Sequence, residues 1–174
     1  MVRLRGSRVI LRPLRLEELD EIVRGLWSPG DAGHVGPRDR RRLRARIARS
    51  GRFTGGRLDL AIEADGRLVG DIQARRAPGF VPAGVFELGI GLFGADRGRG
   101  YGTEAIALLT DHLFEAEGAA RVQAGTLVDN AAMRRVFEKL GFTEEGVMRD
   151  FLPSGDGRAD CVLYAITRAD RAGA

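Results

Sequence analysis

The sequence is poor in the residues from which many functional sites are built. It has one cysteine, Cys161, so an internal disulfide and a multi-cysteine metal centre are both excluded. A single thiol fits a reducing compartment. The two histidines, His34 and His112, lie far apart and carry no metal-ligand spacing, and no metal is expected. Lysine is confined to Lys139, and no G-x-x-x-x-G-K-[ST] segment occurs, which excludes a nucleoside-triphosphatase phosphate loop. Uninterrupted apolar runs fall well short of the roughly 18 residues that suggest a membrane span, and the N-terminal MVRLRGSRVILRP lacks the apolar core of a signal peptide. A cytoplasmic protein with no membrane partner is expected.

What is present describes an ordinary folded chain. With 174 residues, 44% hydrophobic and 30% charged, it should form a single domain over residues 1–174 with a core that needs neither metal nor disulfide. The net charge of +4 suggests nucleic acid. However, all but one of the 28 basic residues are arginine, and they accompany 25 glycines, which reads as a compositional bias. The arginines are not interleaved with aromatics, so no nucleic-acid partner is expected; an RNA-binding reading of RGRG and the Arg38–Arg49 cluster is the weakest of three. That cluster otherwise reads as a solvated face.

Along the chain, Arg8–Leu14 reads as a strand and Leu16–Val23 as a helix with Leu16, Leu19 and Val23 on one side. The turn-rich stretch 28–37 precedes a short helix, Arg38–Arg49, with Leu43 and Ile47 as its apolar stripe. Two apolar runs in Leu58–Arg76 flank Asp65-Gly66, a strong hairpin signal because both residues tolerate positive φ. A Pro/Gly loop, 77–84, leads to a strand, Val85–Phe93, and then a helix, Gly100–Glu117, with Gly102, Ile106, Leu109 and Leu113 at helical spacing and Gly118 as its end. A strand (Arg121–Val128), a helix (Ala131–Leu140) closed by Gly141, and two strands (Thr143–Arg149 and Cys161–Thr167) around PSGDGRAD complete a mixed α/β order. Trp27 and Tyr101 are expected to be packing residues, and Cys161 a buried small hydrophobe rather than a nucleophile.

The informative stretch is RGRGYGTEA, Arg97–Ala105, directly after FELGIGLF. A helix start exposes unpaired N–H groups and the positive end of its dipole, and a glycine-rich entry lets a phosphate approach them. The bland alternative is a flexible surface turn. GIGLFG, Gly89–Gly94, matches G-x-G-x-x-G, but it lies inside the strand rather than after it and is not a dinucleotide loop. Glycines within a strand mark a bulge or a close approach, here at Gly89 and Gly91.

These residues carry a resemblance. ELGIGLFGADRGRGYGTEA, VDNAAMRRVFEKLGFTEEGVMRD and DGRADCVLYAITRAD resemble the GNAT superfamily of acetyl-CoA-dependent N-acetyltransferases, most closely its RimJ/RimL-like branch. The family signature R/Q-x-x-G-x-G/A falls on Arg97, Gly100 and Gly102. The resemblance implies a mixed, mostly antiparallel twisted sheet, flanked by helices and splayed at the acetyl-CoA site. It implies that main-chain groups near Leu92 and Phe93 pair with the pantetheine arm and that the loop Arg97, Gly98, Arg99, Gly100, Tyr101, Gly102 and Thr103 holds the pyrophosphate. Asn130 would hydrogen-bond the arm, or serve as a helix N-cap.

An ammonium group must lose a proton before it attacks a thioester, and the resemblance places the base at Glu87, which otherwise reads as a cross-strand polar residue. Backbone N–H groups around Leu92 would hold the oxyanion. Where relatives carry a serine or tyrosine to protonate the thiolate, this sequence has Met133 and Phe137. A thiol, with a pKa of about 8.5, can leave without such an acid. The expected acceptor is an amine of a small molecule or a protein N-terminus. A non-catalytic acyl-CoA-sensing module is the alternative, and the oligomeric state, homodimer included, is open.

Overall fold

The computed structural model describes residues 1–26, 37–76, 82–154 and 157–172. Trp27, His34 and nearly all of the stretch 28–37 lie outside the described residues, as do 77–81 of the 77–84 loop and 155–156 of the last turn. In chain order the elements are β1 (Leu4–Arg5), β2 (Val9–Arg12), α1 (Leu19–Leu26), α2 (Pro37–Arg49), β3 (Arg57–Ala64), β4 (Arg67–Arg75), β5 (Val85–Leu92), α3 (Tyr101–Glu115), β6 (Arg121–Leu127), α4 (Ala131–Lys139), β7 (Thr143–Ser154), β8 (Gly157–Thr167) and α5 (Arg168–Ala172). The strands form an open, mostly antiparallel sheet, and the class is mixed α/β, as expected. By internal contacts the chain divides into two compact units, Met1–Arg75 with Ile90–Leu109, and Arg76–Gly89 with Thr110–Ala174.

In the first unit the strand order is β1-β2-β3-β4-β5, with β1 to β4 antiparallel. The β3–β4 hairpin turns at Asp65 (φ 51°) and Gly66 (φ 76°), both left-handed as the Asp-Gly pair requires. Leu14, Leu19, Ile22, Ile47, Ala61 and Leu68 form a core cluster, with Val23, Leu43 and Phe93 packed against it. Burying a side chain of this size is worth about 2 kcal/mol. The α2 stripe of Leu43 and Ile47 faces this core as its spacing predicts, while Arg46 turns to the sheet, bonding Asp59 Oδ1 at 2.6 Å and Asp71. Leu16 is a correction: it starts a 3₁₀ turn, Leu16–Glu18, that precedes α1 and leaves it 61% exposed, while Ile22 is buried instead. The two-residue strand β1 is too short to show a period.

In the second unit the order is β5-β6-β8-β7. The β5–β6 ladder is parallel and covers three pairs, Val85↔Arg121, Phe86↔Val122 and Glu87↔Gln123, whereas β6 continues to Leu127 against β8. Strands β7 and β8 run into the predicted turn PSGDGRAD, because their ladder persists through Leu152↔Ala159, Pro153↔Arg158 and Ser154↔Gly157. On α4, Phe137 stacks on Tyr164 (5.3 Å between centroids) and tilts against Phe142 (5.4 Å). Helix α5, unforeseen, is tied back by Arg168, whose Nη2 donates to the carbonyls of Phe114 and Ala119.

Candidate active site

The α3 entry belongs to the first unit. After the 3₁₀ turn Gly94–Asp96 the chain reverses through Gly98 (φ 74°) and Gly100 (φ 81°), a left-handed conformation that strains any side-chain-bearing residue. No acceptor among the described residues takes the amide hydrogens of Gly98, Gly100, Tyr101, Gly102 and Thr103; the first helical bond is Glu104 N to Gly100 O, 3.2 Å. A Cβ built on Gly98 meets nothing within 4 Å, whereas one on Gly102 would lie 3.3 Å from Leu92 Cδ1. At Gly98 the backbone thus borders open space, while glycine at 102 lets α3 approach the end of β5.

Side chains from distant parts of the unit hold this loop. Asp96, buried, is gripped by Arg67 through Nη1–Oδ2 (2.9 Å) and Nη2–Oδ1 (2.5 Å), which keep its carboxyl below the usual range. Tyr101 donates to Asp65 Oδ2 at 3.1 Å, tying α3 to the hairpin turn. Glu104 Oε1 accepts from Ser7 N, from Ser7 Oγ (2.9 Å) and from Arg8 N (3.1 Å), and its Oε2 lies 3.6 Å from Arg8 Nε. Burial raises the Glu104 pKa, but these bonds and the Arg8 charge outweigh it, and the carboxyl is lowered. Arg8 Nη1 in turn donates to Arg99 O at 3.0 Å.

The end of β5 is shaped by a glycine on its neighbour. A Cβ on Gly70 of β4 would collide with Gly91 O and stand 3.0 Å from Leu92 Cα, so only glycine lets this backbone come so close. Phe93 N donates to Val69 O (2.9 Å) and Phe93 O accepts from Asp96 N (2.9 Å), so both polar groups of Phe93 are engaged inside the protein. Leu92 O accepts from Arg97 Nε at 3.2 Å, which folds that arginine back onto β5.

The second unit holds the other candidates. Glu87, half-buried, lies in the last pair of the β5–β6 ladder, and its negative charge adds to the burial that pushes the Cys161 thiol up. Cys161 is buried, and a Cβ on Gly125 would come within 2.7 Å of its Sγ, so it behaves as the packing residue expected. Asn130 Oδ1 caps α4 by accepting from Met133 N at 3.2 Å. Arg134 donates to Val128 O and to Tyr164 Oη, both at 3.2 Å, while Tyr164 Oη donates to Glu144 Oε2 at 2.8 Å. Among the described residues no group of three or more His, Cys, Asp or Glu could hold a metal ion.

Leu92, Phe93 and the whole stretch Arg97–Thr103 are thus neighbours in the first unit, while in the second Glu87 lies within β5, where its ladder with β6 ends, and Asn130 caps α4. Sequence reading missed Arg8, Arg67, Asp96 and Glu104, which act across long sequence separations and belong to no local pattern. It also missed Gly70, for which a glycine inside a strand was an available signal.

Residues 8–143 match the model of the Acetyltransferase (GNAT) domain family, and the chain belongs to that family. It is 34% identical over 76 residues to the probable N-acetyltransferase YjcK of Bacillus subtilis, covering 44% of this chain and 42% of that protein. It is 34% identical over 68 residues to the Escherichia coli [ribosomal protein bS18]-alanine N-acetyltransferase, covering 39% and 45%. The chain thus spans less than half the length of these two curated relatives. Among solved structures, Mycobacterium smegmatis RimJ in complex with CoA-disulfide superposes with a TM-score of 0.76 at 26% identity, covering 97% of this chain and 87% of that one. No described helix is long and apolar enough to cross a membrane.

Proposed function

We propose that the protein is an acetyl-CoA-dependent N-acetyltransferase that acts on a primary amine, in the RimJ/RimL-like branch of its family. The observation that carries this reading is the α3 entry: five amide hydrogens without an acceptor among the described residues, at the positive end of a helix, on a loop that Gly98 and Gly100 turn through left-handed backbone. That donor set fits a diphosphate. The amides of Gly98 and Gly100–Thr103 would hold it, with Arg99 adding charge, Arg97 bracing the loop through Leu92 O, and Leu92 and Phe93 bordering the pantetheine arm. Asn130, besides capping α4, would bond that arm. When bound, acetyl-CoA supplies an acyl thioester activated towards amines.

The protein's own task is to provide a nucleophile and a path for its proton. Glu87, as a carboxylate, takes a proton from the incoming ammonium directly or through one water, and leaves a lone pair free to attack; such a base is worth about 10²- to 10⁴-fold. Backbone N–H groups near Leu92 stabilise the oxyanion. Phe137 is buried among aromatic rings and Met133 has no acidic proton, so the thiolate departs without help from α4.

Support for the acceptor class comes from the E. coli relative named for an alanine of a ribosomal protein. The test is a panel of N-terminal peptides, amino acids and polyamines incubated with acetyl-CoA, read by mass spectrometry of the products and by thiol release. The expected result is acetylation of an amine, with Glu87→Gln lowering kcat/KM about 100-fold at unchanged coenzyme A affinity. Tight coenzyme A binding with no acetylated product would instead favour the sensing module.

A further inference from the structure

We propose that Arg8, on the turn between β1 and β2, is an anion-binding residue of the α3 entry that sets its affinity for the cofactor's phosphates. The inference rests on the reading above, because it takes the diphosphate to lie on this loop. Three observations place the guanidinium there. A Cβ built on Gly100 would lie 2.6 Å from Arg8 Nη2 and 3.3 Å from Nη1 and Cζ, so the guanidinium packs directly against the left-handed glycine. Nη1 donates to Arg99 O at 3.0 Å, bracing the loop from its carbonyl side. The backbone that carries Arg8 is in turn fixed by Glu104, whose Oε1 takes the amide hydrogens of Ser7 and Arg8.

Charge and reach make this group suited to an anion. Peptide N–H groups bring only partial charges to a ligand carrying about two negative charges, and a guanidinium adds a full one with paired donors. Arg97, the arginine of the family signature, is turned away towards Leu92 O. Arg8 Nη2 has no hydrogen-bond acceptor among the described residues, and its side chain is 58% exposed. Glu104 offsets part of the charge through Nε, at 3.6 Å. The site would thus combine amides from the helix start with a further cation supplied from 90 or more positions earlier in the chain.

The test measures binding and does not depend on turnover. Coenzyme A is titrated calorimetrically into wild type, Arg8→Gln and Arg8→Lys at low and high salt, and inorganic pyrophosphate is used to compete it off. Arg8→Gln should weaken coenzyme A about tenfold and flatten the salt dependence, because the exposed charge that salt screens has gone. Pyrophosphate should compete against wild type and about tenfold less well against Arg8→Gln, while Arg8→Lys, which keeps the charge and guards against a variant that fails to fold, should fall between them. Equal coenzyme A affinity and equal salt slopes in all three proteins would overturn the assignment of Arg8 alone. Wild type that binds neither coenzyme A nor pyrophosphate would overturn the cofactor reading beneath it.

Discussion

The α3 entry of the first unit and the α4 end of the second are held by different forces. Around α4 the fixing elements are ring contacts, Phe137 with Tyr164 and Phe142, and a tyrosine hydroxyl shared between Arg134 and Glu144. At the α3 entry Arg97, Gly98 and Arg99 are exposed, so the turn itself gains little from burial. It is fixed by charge: Arg67 on Asp96, and Arg8 with Glu104. The difference teaches that an exposed glycine turn is made rigid from its edges, by side chains that reach it from distant parts of the chain.

The largest effect should come from changing the glycine turn itself. In Gly100→Val a β-branched residue would have to adopt a φ near 81°, a strain of about 1–3 kcal/mol, and its Cβ would push into the Arg8 guanidinium. Coenzyme A affinity, read by calorimetry, should fall about 100-fold or more, while the NMR ring signals of Phe137 and Phe142 beside α4 stay native. Unchanged affinity would count against the whole α3 entry as the phosphate site.

How far the sequence reveals the two regions follows the same division. The glycine loop was legible because φ > 0 and the strand-to-helix handover restrict residue type locally, so R-x-x-G-x-G can be read without a structure. The hairpin at Asp65-Gly66 and the core stripe Leu43/Ile47 were legible for the same local reason. The edges were not: Arg8 and Glu104 are 96 positions apart and Arg67 and Asp96 29 apart, and nothing near any of them marks the partner. The 3₁₀ turn at Leu16 and the length of β7 and β8 were misjudged because a periodic pattern fixes which face is apolar better than it fixes where a ladder or helix begins.

A middle-sized effect sharpens the comparison at the border of β4 and β5. Gly70→Ala places a methyl group against Gly91 O and Leu92 Cα, which are backbone and cannot swing aside. Forcing these strands apart should cost about 1–3 kcal/mol, or several degrees of melting temperature. Coenzyme A affinity should fall with it, because Leu92 borders the same loop. A variant with the melting temperature lowered but full affinity would separate the strand geometry from the binding site and confine the site to the glycine turn.

The smallest effect distinguishes the two regions by pH, and its sign differs between them. Asp96 and Glu104 titrate below their ordinary values in the folded protein, the first because Arg67 bonds its carboxylate, the second because hydrogen bonds and the Arg8 charge exceed the opposing effect of burial. Their contribution to the α3 entry is therefore present above the usual carboxylate pKa of about 4 and is lost as pH falls through the lower folded values. Tyr164 is shifted the other way, upward by burial, so its contribution at α4 is complete below the usual tyrosine pKa of about 10 and is lost only as pH rises beyond it. Followed by NMR, the amide signals of Gly98 and Gly100 should move first on acidification from about pH 5 to 3, while the Phe137 and Phe142 ring signals hold and move only in alkali. Ring signals at α4 that shift together with the loop amides in acid would mean that one set of forces holds both regions, and the contrast between charge-fixed edges and packed rings would no longer explain where the site can be loosened.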